Sequence, residues 1–470
     1  MKQQQNKPKT MPIDIRAPRS TLRAGRAVTL LILCFLLGMG YLSYVLITES
    51  PMYMAKSGKT TYGVVYDRTG DVLFDGTKPL TDYPSGQFAD VGNFIGDTSG
   101  QMTNTLVAKN LTALANYSFT SGIHGTASLQ TTLSHAANQA AYKALGSKNG
   151  TIIACNWKTG ELLVCVSKPC VDIAKGYEDI ASMPNGSLLC KAFYPMVPGS
   201  TQKVSTLIAA YETLGVKNVN DIEYSCEGSW LNANGQRIKC HRFEGHGHQT
   251  LAEAFANSCN PFFAQLVQSE QLPLTSIIEV YQRMGYSVNK SAAESYSLDG
   301  ISIAPASTVL TDDTDFDTQW GCLGQGETLV SPYQLMLWQT AVANGTGTAI
   351  LPYAVESCTS AEGKTVQVGK TTRTPQLFSV SAAKAVQEVM IANAENHYYV
   401  SLPDYNCGVK SGTAQVTDNG REYENSLLVG FCLDETCPVA FCILIEERTS
   451  KDISTAQVAK ALLNALSAAE

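Results

Sequence analysis

The pattern of hydrophobic and polar positions begins with one long apolar segment near the N-terminus. Residues 27–47 read AVTLLILCFLLGMGYLSYVLI and contain no charged side chain in 21 positions. Because a helix rises about 1.5 Å per residue, this run is long enough to cross the roughly 30 Å hydrocarbon core of a bilayer. The pattern therefore predicts a transmembrane helix over residues 27–48.

Further along the chain, apolar residues recur at the spacing of amphipathic helices. After the break at Pro198-Gly199, apolar side chains lie at i, i+3, i+4 and i+7 from residue 204, which predicts a helix with Ser200 as its N-cap and Gly215 at its end. The same spacing predicts helices at residues 136–145, 251–268 with an interruption at Asn260-Pro261, 332–343, 382–392 and 458–468.

Alternating apolar residues predict strands before and after these helices. Residues 151–167 alternate and turn at 158–160, which indicates a hairpin, and three strands are expected late in the chain at 407–416, 426–432 and 439–446. Residues 49–125 mix short strand-like runs with a stretch rich in Gly, Asn, Ser and Asp, as expected of a small membrane-proximal pedestal. The predicted fold class is α+β, with an antiparallel sheet flanked by helices.

Composition and charge narrow the class of protein. The 470 residues are 44% hydrophobic with a net charge of −7, which argues against a largely disordered chain and against a nucleic-acid-binding protein. The charge is uneven, because residues 1–26 carry seven Lys or Arg and one acid. The positive-inside rule then predicts a cytoplasmic tail at 1–26 and an exported part from 49 onward. A cleaved signal peptide is the alternative, but no A-x-A site follows the apolar run.

The 14 cysteines suggest a disulfide and raise the question of a metal site. Cys226 and Cys240 bracket a polar, Gly- and Asn-rich loop, and we expect them to form a disulfide, with free thiols in a loop held by packing as the alternative. Cys240 also lies close in sequence to His241, His246 and His248, a set that could ligate zinc. Its spacing is not that of a standard zinc finger, so no metal and no cofactor is predicted.

Three short motifs that can carry chemistry occur in order along the chain. They are S-x-x-K at Ser200 and Lys203, S-x-N at Ser258 and Asn260, and K-S-G at Lys410, Ser411 and Gly412. Each is weak alone, since a second S-x-x-K begins at Ser381. Order and context select the set above, because no S-x-N follows Ser381, which instead resembles an ordinary helix cap.

These residue types suit nucleophilic catalysis. Ser200 and Lys203, three residues apart at a helix start, share one face, so the hydroxyl is within reach of the amine. A free lysine amine has a pKa near 10.4. Burial and a second cation, for which Lys410 is the candidate, would lower that pKa and make the amine usable as a base. Ser258 would relay protons and Asn260 would bind a substrate amide, while the backbone N–H groups of Ser200 and Thr413 would form an oxyanion hole.

The trio marks penicillin-binding proteins and serine β-lactamases, and the resemblance extends well beyond it. Residues 198–203, PGSTQK, are similar to that family's Y-x-P-G-S-T-x-K segment, with Met196 where the Tyr usually stands. Further segments that resemble the family are the hairpin at 150–169, H-G to S-C-N-x-x-F at 246–263, G-Q-G with S-P-Y-Q-L at 324–335, and D-R-T-G at 67–70. The sequence departs from the family pattern at some positions, such as Ser134 in place of an aspartate and K-S-G in place of K-T-G. These departures concern the scaffold and the subclass, and not the catalytic groups.

The resemblance, which covers about residues 126–470, implies a transpeptidase/β-lactamase-like domain there. It further implies that Ser200 attacks the penultimate D-Ala carbonyl of a peptidoglycan stem peptide, with Ser411, Gly412 and Thr413 binding substrate. The acyl-enzyme would pass to an amine of a neighbouring stem, and β-lactams would trap it. A D,D-carboxypeptidase, or a sensor that is acylated without turnover, is the alternative.

Subclass and surroundings follow from the same resemblance. Only 152 residues separate Ile47 from Ser200, too few for a glycosyltransferase domain as well, so a monofunctional, class B-like enzyme is expected. The expected location is the bacterial cytoplasmic membrane, crossed once, with the N-terminus in the cytoplasm and the catalytic domain outside. A membrane-embedded glycan polymerase, or divisome or elongasome proteins, would be its partners, and no nucleic acid is expected.

Overall fold

A computed structural model describes residues 19–418 and 420–468 of the chain. Most of the predicted cytoplasmic tail, residues 1–18, lies outside the described residues. The helices are α1 Arg19–Lys56, α2 Gly92–Ile95, α3 Leu106–Leu114, α4 His135–Ala144, α5 Lys203–Leu214, α6 Val216–Asn220, α7 Leu251–Ala256, α8 Asn260–Val267, α9 Leu274–Arg283, α10 Phe316–Cys322, α11 Pro332–Ala343, α12 Val380–His397 and α13 Thr455–Ser467.

Strands occur throughout the part of the chain after α1, and many are short. They are β1 Val64–Tyr66, β2 Val72–Asp75, β3 Tyr117–Ser118, β4 Gly122–Ile123, β5 Ser128–Thr131, β6 Gly150–Asn156, β7 Leu162–Lys168, β8 Glu223–Cys226, β9 Ser229–Leu231, β10 Arg237–Lys239, β11 Gly247–Thr250, β12 Tyr286–Val288, β13 Ser297–Leu298, β14 Ile301–Ser302, β15 Ala306–Thr308, β16 Ile350–Leu351, β17 Val355–Thr359, β18 Thr365–Val368, β19 Thr372–Arg373, β20 Cys407–Asp418, β21 Arg421–Cys432 and β22 Val439–Ile445.

The main sheet is five-stranded and antiparallel, in the order β20-β21-β22-β6-β7. Its middle strand, β22, is buried at every position, because alternate side chains point to opposite faces and both faces are covered. Ala440 and Cys442 face one hydrophobic core, while Phe441 and Ile443 face another. The sequence predicted the hairpin and the three late strands, and the structure confirms them.

Helices cover both faces of this sheet. On one face, α11 is buried along its whole length and contacts β22, β21 and β6, while α12 lies against β20. On the other face, α4 and α13 pack against each other and against the sheet. This arrangement confirms the predicted α+β class. Strand β20 lies at the edge of the sheet. Beyond it, the segment that carries Ser200 contacts β20.

A second, smaller sheet forms near α1, in the order β18-β17-β5-β1-β2. Two of its strands, β17 and β18, come from residues more than 200 positions after the others, so it joins the predicted pedestal to later parts of the chain. The D-R-T-G turn anchors this region, because the buried Asp67 carboxylate accepts hydrogen bonds from the backbone N–H groups of Thr69, Asp71 and His135 at 2.8, 2.9 and 3.1 Å. The pedestal boundary at residue 125 remains a prediction.

Helix α1 contains the whole predicted transmembrane run and extends beyond it at both ends. Within residues 23–56 it is long and apolar enough to cross a membrane, and its most hydrophobic stretch is not buried by the rest of the chain. The large apolar side chains of this stretch, such as Leu31, Phe35 and Leu37, are exposed. A bilayer would shield this surface from water.

Candidate active site

Ser200 lies in a 3₁₀ turn, Gly199–Gln202, that leads directly into α5. The sequence had predicted Ser200 as the N-cap, and this is wrong, because the helical turn already begins one residue earlier and neither helical segment has a side-chain cap. Inside the turn, the Ser200 hydroxyl accepts a hydrogen bond from the Lys203 amine at 2.8 Å. The expected pairing of these two side chains is therefore present, with a different local geometry.

The turn is fixed from outside by the G-Q-G segment. The Gly199 N–H donates to the Gly324 carbonyl at 2.8 Å, and a β-carbon at residue 324 would lie 1.9 Å from the Gly199 carbonyl oxygen. Only glycine fits there, since Gly324 also has a φ of +90°. Gln325 reaches further and donates to the Thr413 carbonyl on β20 at 3.1 Å. The segment thus ties the Ser200 turn to the K-S-G strand.

Ser258 and Asn260 lie where α7 gives way to α8. The break falls at residues 257–259, slightly earlier than the predicted interruption at Asn260-Pro261, and Pro261 lies in the first turn of α8. Ser258 has a φ of +51°, a left-handed conformation that costs a non-glycine residue about 1–3 kcal/mol. The sharp turn directs both side chains toward the Lys203 amine.

The Lys203 amine is the centre of the site. It is fully buried and lies within hydrogen-bond distance of four oxygens: Ser200 Oγ at 2.8 Å, Asn260 Oδ1 at 2.7 Å, the Ser258 carbonyl at 3.0 Å and Ser258 Oγ at 3.3 Å. Its ammonium position also lies 5.7 Å from the centre of the Phe263 ring. None of the hydrogen-bond partners found within the described residues is a carboxylate. The first two motifs therefore meet on one amine whose hydrogen-bond partners are neutral oxygens.

Lys410 brings the third motif to the same place. Its side chain, carried by β20, is buried, and its amine donates to Ser258 Oγ at 3.2 Å and to the Ser411 carbonyl at 2.9 Å. Ser258 Oγ therefore lies between the two lysine amines. Gly412 allows β20 to approach the Ser200 turn, because a β-carbon there would lie 2.9 Å from the Pro198 carbonyl oxygen.

Burial disfavours the positively charged form of both lysine side chains. It lowers the pKa of Lys203 well below the ordinary value, and the charge of the neighbouring Lys410 lowers it further. Burial also lowers the pKa of Lys410 to about 7. An uncharged Lys203 amine has a free lone pair 2.8 Å from a hydroxyl, which is the arrangement a general base requires.

The three motifs line one cleft of about 490 Å³. Its walls include every candidate catalytic and substrate-binding residue except the two buried lysines. Sequence reasoning missed several lining side chains, namely His241, Trp320, Leu323, Gln325, Gln415 and Glu424. Gln325 could have been found from the G-Q-G resemblance, whereas the others carry no local sequence signal.

Cys226 and Cys240 are both free thiols, so the predicted disulfide between them is absent from the structure. The loop is instead closed by its backbone, with the Cys240 N–H donating to the Gly228 carbonyl at 2.9 Å. The two thiols lie near Cys259 and His246, with one ligand atom of each residue within 4.8 Å of those of the others. Of the other histidines considered with Cys240, His248 binds Glu223 at 2.7 Å instead.

Comparison with known proteins identifies similar chains. Residues 150–465 match the model of the penicillin-binding protein transpeptidase domain, which is more than half of the chain. Stage V sporulation protein D of Bacillus subtilis is 30% identical over 289 residues, or 59% of this chain and 42% of that protein. Peptidoglycan D,D-transpeptidase PbpA of Mycolicibacterium smegmatis is 24% identical over 68% of this chain and 67% of its own. The chain thus spans less than half the length of the Bacillus relative.

A solved structure shares the fold. It is the penicillin G acyl-enzyme complex of penicillin-binding protein A from Mycobacterium tuberculosis, which is 18% identical with a TM-score of 0.71 over 87% of this chain and 99% of that one. This similarity shows that the two chains share one fold.

The two lysines should respond differently to substitution. If Lys203 is the base, Lys203→Gln should slow acylation of Ser200 by a β-lactam by about 10²–10⁴-fold at every pH. Lys410→Gln should move the rising limb of the pH–rate profile to higher pH, because the cation that lowers the Lys203 pKa is removed. It should also weaken the binding that precedes acylation. Stopped-flow acylation across pH measures both effects, and an unmoved limb in Lys410→Gln would contradict the electrostatic link.

Proposed function

The chain belongs to the penicillin-binding protein transpeptidase family, and from this premise we propose that it is a peptidoglycan D,D-transpeptidase acting through Ser200. One observation carries the proposal: a buried amine that all three motifs surround lies 2.8 Å from a serine hydroxyl facing an open cleft. The name of one relative agrees with this proposal, since PbpA is called a peptidoglycan D,D-transpeptidase.

In the first half-reaction, the uncharged Lys203 amine takes the proton of the Ser200 hydroxyl as Oγ attacks the penultimate D-Ala carbonyl. The backbone N–H groups of Ser200 and Thr413 stabilise the oxyanion. As the tetrahedral intermediate collapses, the C–N bond breaks, and the departing D-Ala amine receives a proton from Ser258 Oγ, which is replenished from the lysine amines on either side of it. The product is an ester between the stem peptide and Ser200.

In the second half-reaction, an amine of a neighbouring stem attacks this ester. It loses a proton through the same relay, forms the new amide and releases Ser200 with its hydroxyl proton restored. β-Lactams present the same carbonyl in a ring, so their leaving group stays attached and the acyl-enzyme persists. The solved relative with penicillin G is named as such an acyl-enzyme complex.

Substrate binding uses the remaining motif residues. Lys410, Ser411 and Thr413 hold the substrate carboxylate, and an extended peptide lies along the β20 edge beside the cleft. Asn260 binds a stem amide through its Nδ2, which here donates to the Lys239 carbonyl at 3.3 Å. Because that hydrogen bond is long, little binding free energy is lost when Asn260 Nδ2 donates to a substrate carbonyl instead.

We further propose that α1 anchors the chain in the bacterial cytoplasmic membrane, with the basic N-terminus in the cytoplasm and the catalytic domain outside. The exposed apolar surface of α1 and the excess of Lys and Arg before it support this orientation. An enzyme held at that surface would receive nascent strands from a membrane-embedded glycan polymerase, or work among divisome or elongasome proteins.

Replacing Ser200 with alanine should abolish covalent labelling by a fluorescent penicillin while leaving thermal unfolding nearly unchanged, because only the nucleophile is removed. Ser381→Ala is the matched control, since Ser381 begins the other S-x-x-K and is exposed. It is not the helix cap that the sequence suggested, because Ser379 caps α12, so the substitution should change stability by less than about 0.5 kcal/mol. Labelling that persists in Ser200→Ala would overturn the assignment.

The reaction products distinguish a transpeptidase from a D,D-carboxypeptidase and from a sensor that is acylated without turnover. With a D-Ala-D-Ala stem peptide and an acceptor amine, the transpeptidase proposal expects a cross-linked dimer and an equal amount of released D-Ala, measured by mass spectrometry. Release of D-Ala by water with no dimer, even when acceptor is in excess, would indicate a carboxypeptidase. Acylation by penicillin with no product from any stem peptide would indicate a sensor.

A further inference from the structure

Three cysteines and a histidine converge behind the S-C-N loop. Each of the side chains of Cys226, Cys240, His246 and Cys259 offers one ligand atom, and these atoms all lie within 4.8 Å of one another. Three thiols and an imidazole are the Cys₃His donor set of structural zinc sites, in which the metal has four protein ligands. We propose that these four residues bind one zinc ion.

The observed distances are close to those that zinc requires. With Zn–S near 2.3 Å and Zn–N near 2.0–2.1 Å, tetrahedral ligands lie about 3.8 Å apart for two sulfurs and about 3.5 Å apart for sulfur and nitrogen. Cys240 Sγ lies 3.4 Å from His246 Nδ1. All four side chains can therefore reach one ion through small rotations, with Nδ1 as the histidine ligand.

Backbone hydrogen bonds hold three of the ligands in place. The His246 N–H donates to the Cys226 carbonyl at 2.9 Å, and the Cys240 N–H donates to Gly228 at 2.9 Å. Gly245 permits the close return of the loop, because it has a φ of +81° and a β-carbon there would lie 2.2 Å from the Cys226 carbonyl oxygen. Cys226 ends β8, Cys240 follows β10 and His246 precedes β11, so three strand ends present three ligands at one point.

The fourth ligand comes from the catalytic loop. Cys259 lies between Ser258 and Asn260, the two residues whose side chains contact the Lys203 amine. An ion bound by Cys259 would tie this loop to the 226–246 segment and would hold Ser258 in its left-handed conformation. Zinc would act as a positioning element here, in contact with no substrate atom, and this consequence for rate rests on the proposed function.

Two nearby histidines are excluded by their positions. His248 faces away from the cluster, with Nδ1 3.3 Å from Ser225 Oγ and Nε2 2.7 Å from Glu223. His241 Nδ1 lies 4.0 Å from Cys240 Sγ, but His241 lines the substrate cleft and is not among the four residues whose ligand atoms all lie within 4.8 Å of one another. Cys226 and Cys259 are buried while Cys240 and His246 are partly exposed, so an ion has a route of entry from the solvent side.

The site is tested on the full chain, purified in detergent without chelators. We expect about one zinc per chain by elemental analysis, and exchange for Co²⁺ should give a thiolate-to-metal charge-transfer band with a tetrahedral d–d spectrum. Cys226→Ser and His246→Ala should reduce bound metal at least about tenfold, while His248→Ala and Cys358→Ser, a buried thiol in β17, should retain it. Cobalt exchange into the unaltered chain decides the question if the ligand variants do not fold.

Removal of the metal tests separately whether zinc affects the rate of acylation at Ser200. Chelation should slow penicillin acylation about tenfold or more, and added zinc should restore the rate. Ser200→Ala should keep its zinc although it cannot be acylated, so failure of the catalytic assignment and failure of the metal site give different results. A chain that neither carries zinc nor takes it up would overturn the proposal. A disulfide joining Cys240 to Cys259 or to Cys226 in freshly alkylated, active protein would do the same.

Discussion

The burial of the Lys203 amine among neutral oxygens is the constraint on which the rest of this site depends. A charge at Lys203 would be costly, because its partners are neutral oxygens and its nearest ionisable cation is another lysine. The protein therefore favours loss of the proton, and the free lone pair lies beside the Ser200 hydroxyl. Nucleophile activation in this account is a consequence of burial, with no carboxylate or imidazole needed as the base.

The scaffold can be understood as the means of holding that amine between segments distant in sequence. Three segments supply its surroundings, and each depends on a backbone feature that few residues tolerate. The Ser200 turn packs closely against Gly324, the break between α7 and α8 needs the left-handed Ser258, and β20 approaches Pro198 at Gly412. β20 is the edge strand of the main sheet, so the same element that supplies Lys410 also leaves an open edge beside the cleft. Under the proposed function, β20 would therefore contribute both to substrate binding and to the lowered pKa of Lys203.

Much of this could be predicted from the sequence, because the strands and helices around the site are strongly periodic and the motifs occur in a fixed order. What failed depended on distant contacts. The local pattern predicts Ser200 as an N-cap, because the constraint from Gly324 comes from more than 100 residues later in the chain. Cys226 and Cys240 bracket one loop, which predicts a disulfide between them. Cys259 gives no such signal, because it is the middle residue of the S-C-N motif. The small sheet was missed because β17 and β18 join it from far along the chain.

The most direct test is the protonation state of Lys203 itself. The ¹³Cε or ¹⁵Nζ resonance of Lys203, assigned by its absence in Lys203→Gln, can be followed by NMR from neutral to alkaline pH. This amine should lose its proton well below the ordinary lysine pKa of about 10.4, so that it is uncharged while most surface lysines remain ammonium. A Lys203 side chain that stays protonated up to that ordinary value would contradict the account, because the proposed base would then have no lone pair to accept the Ser200 proton.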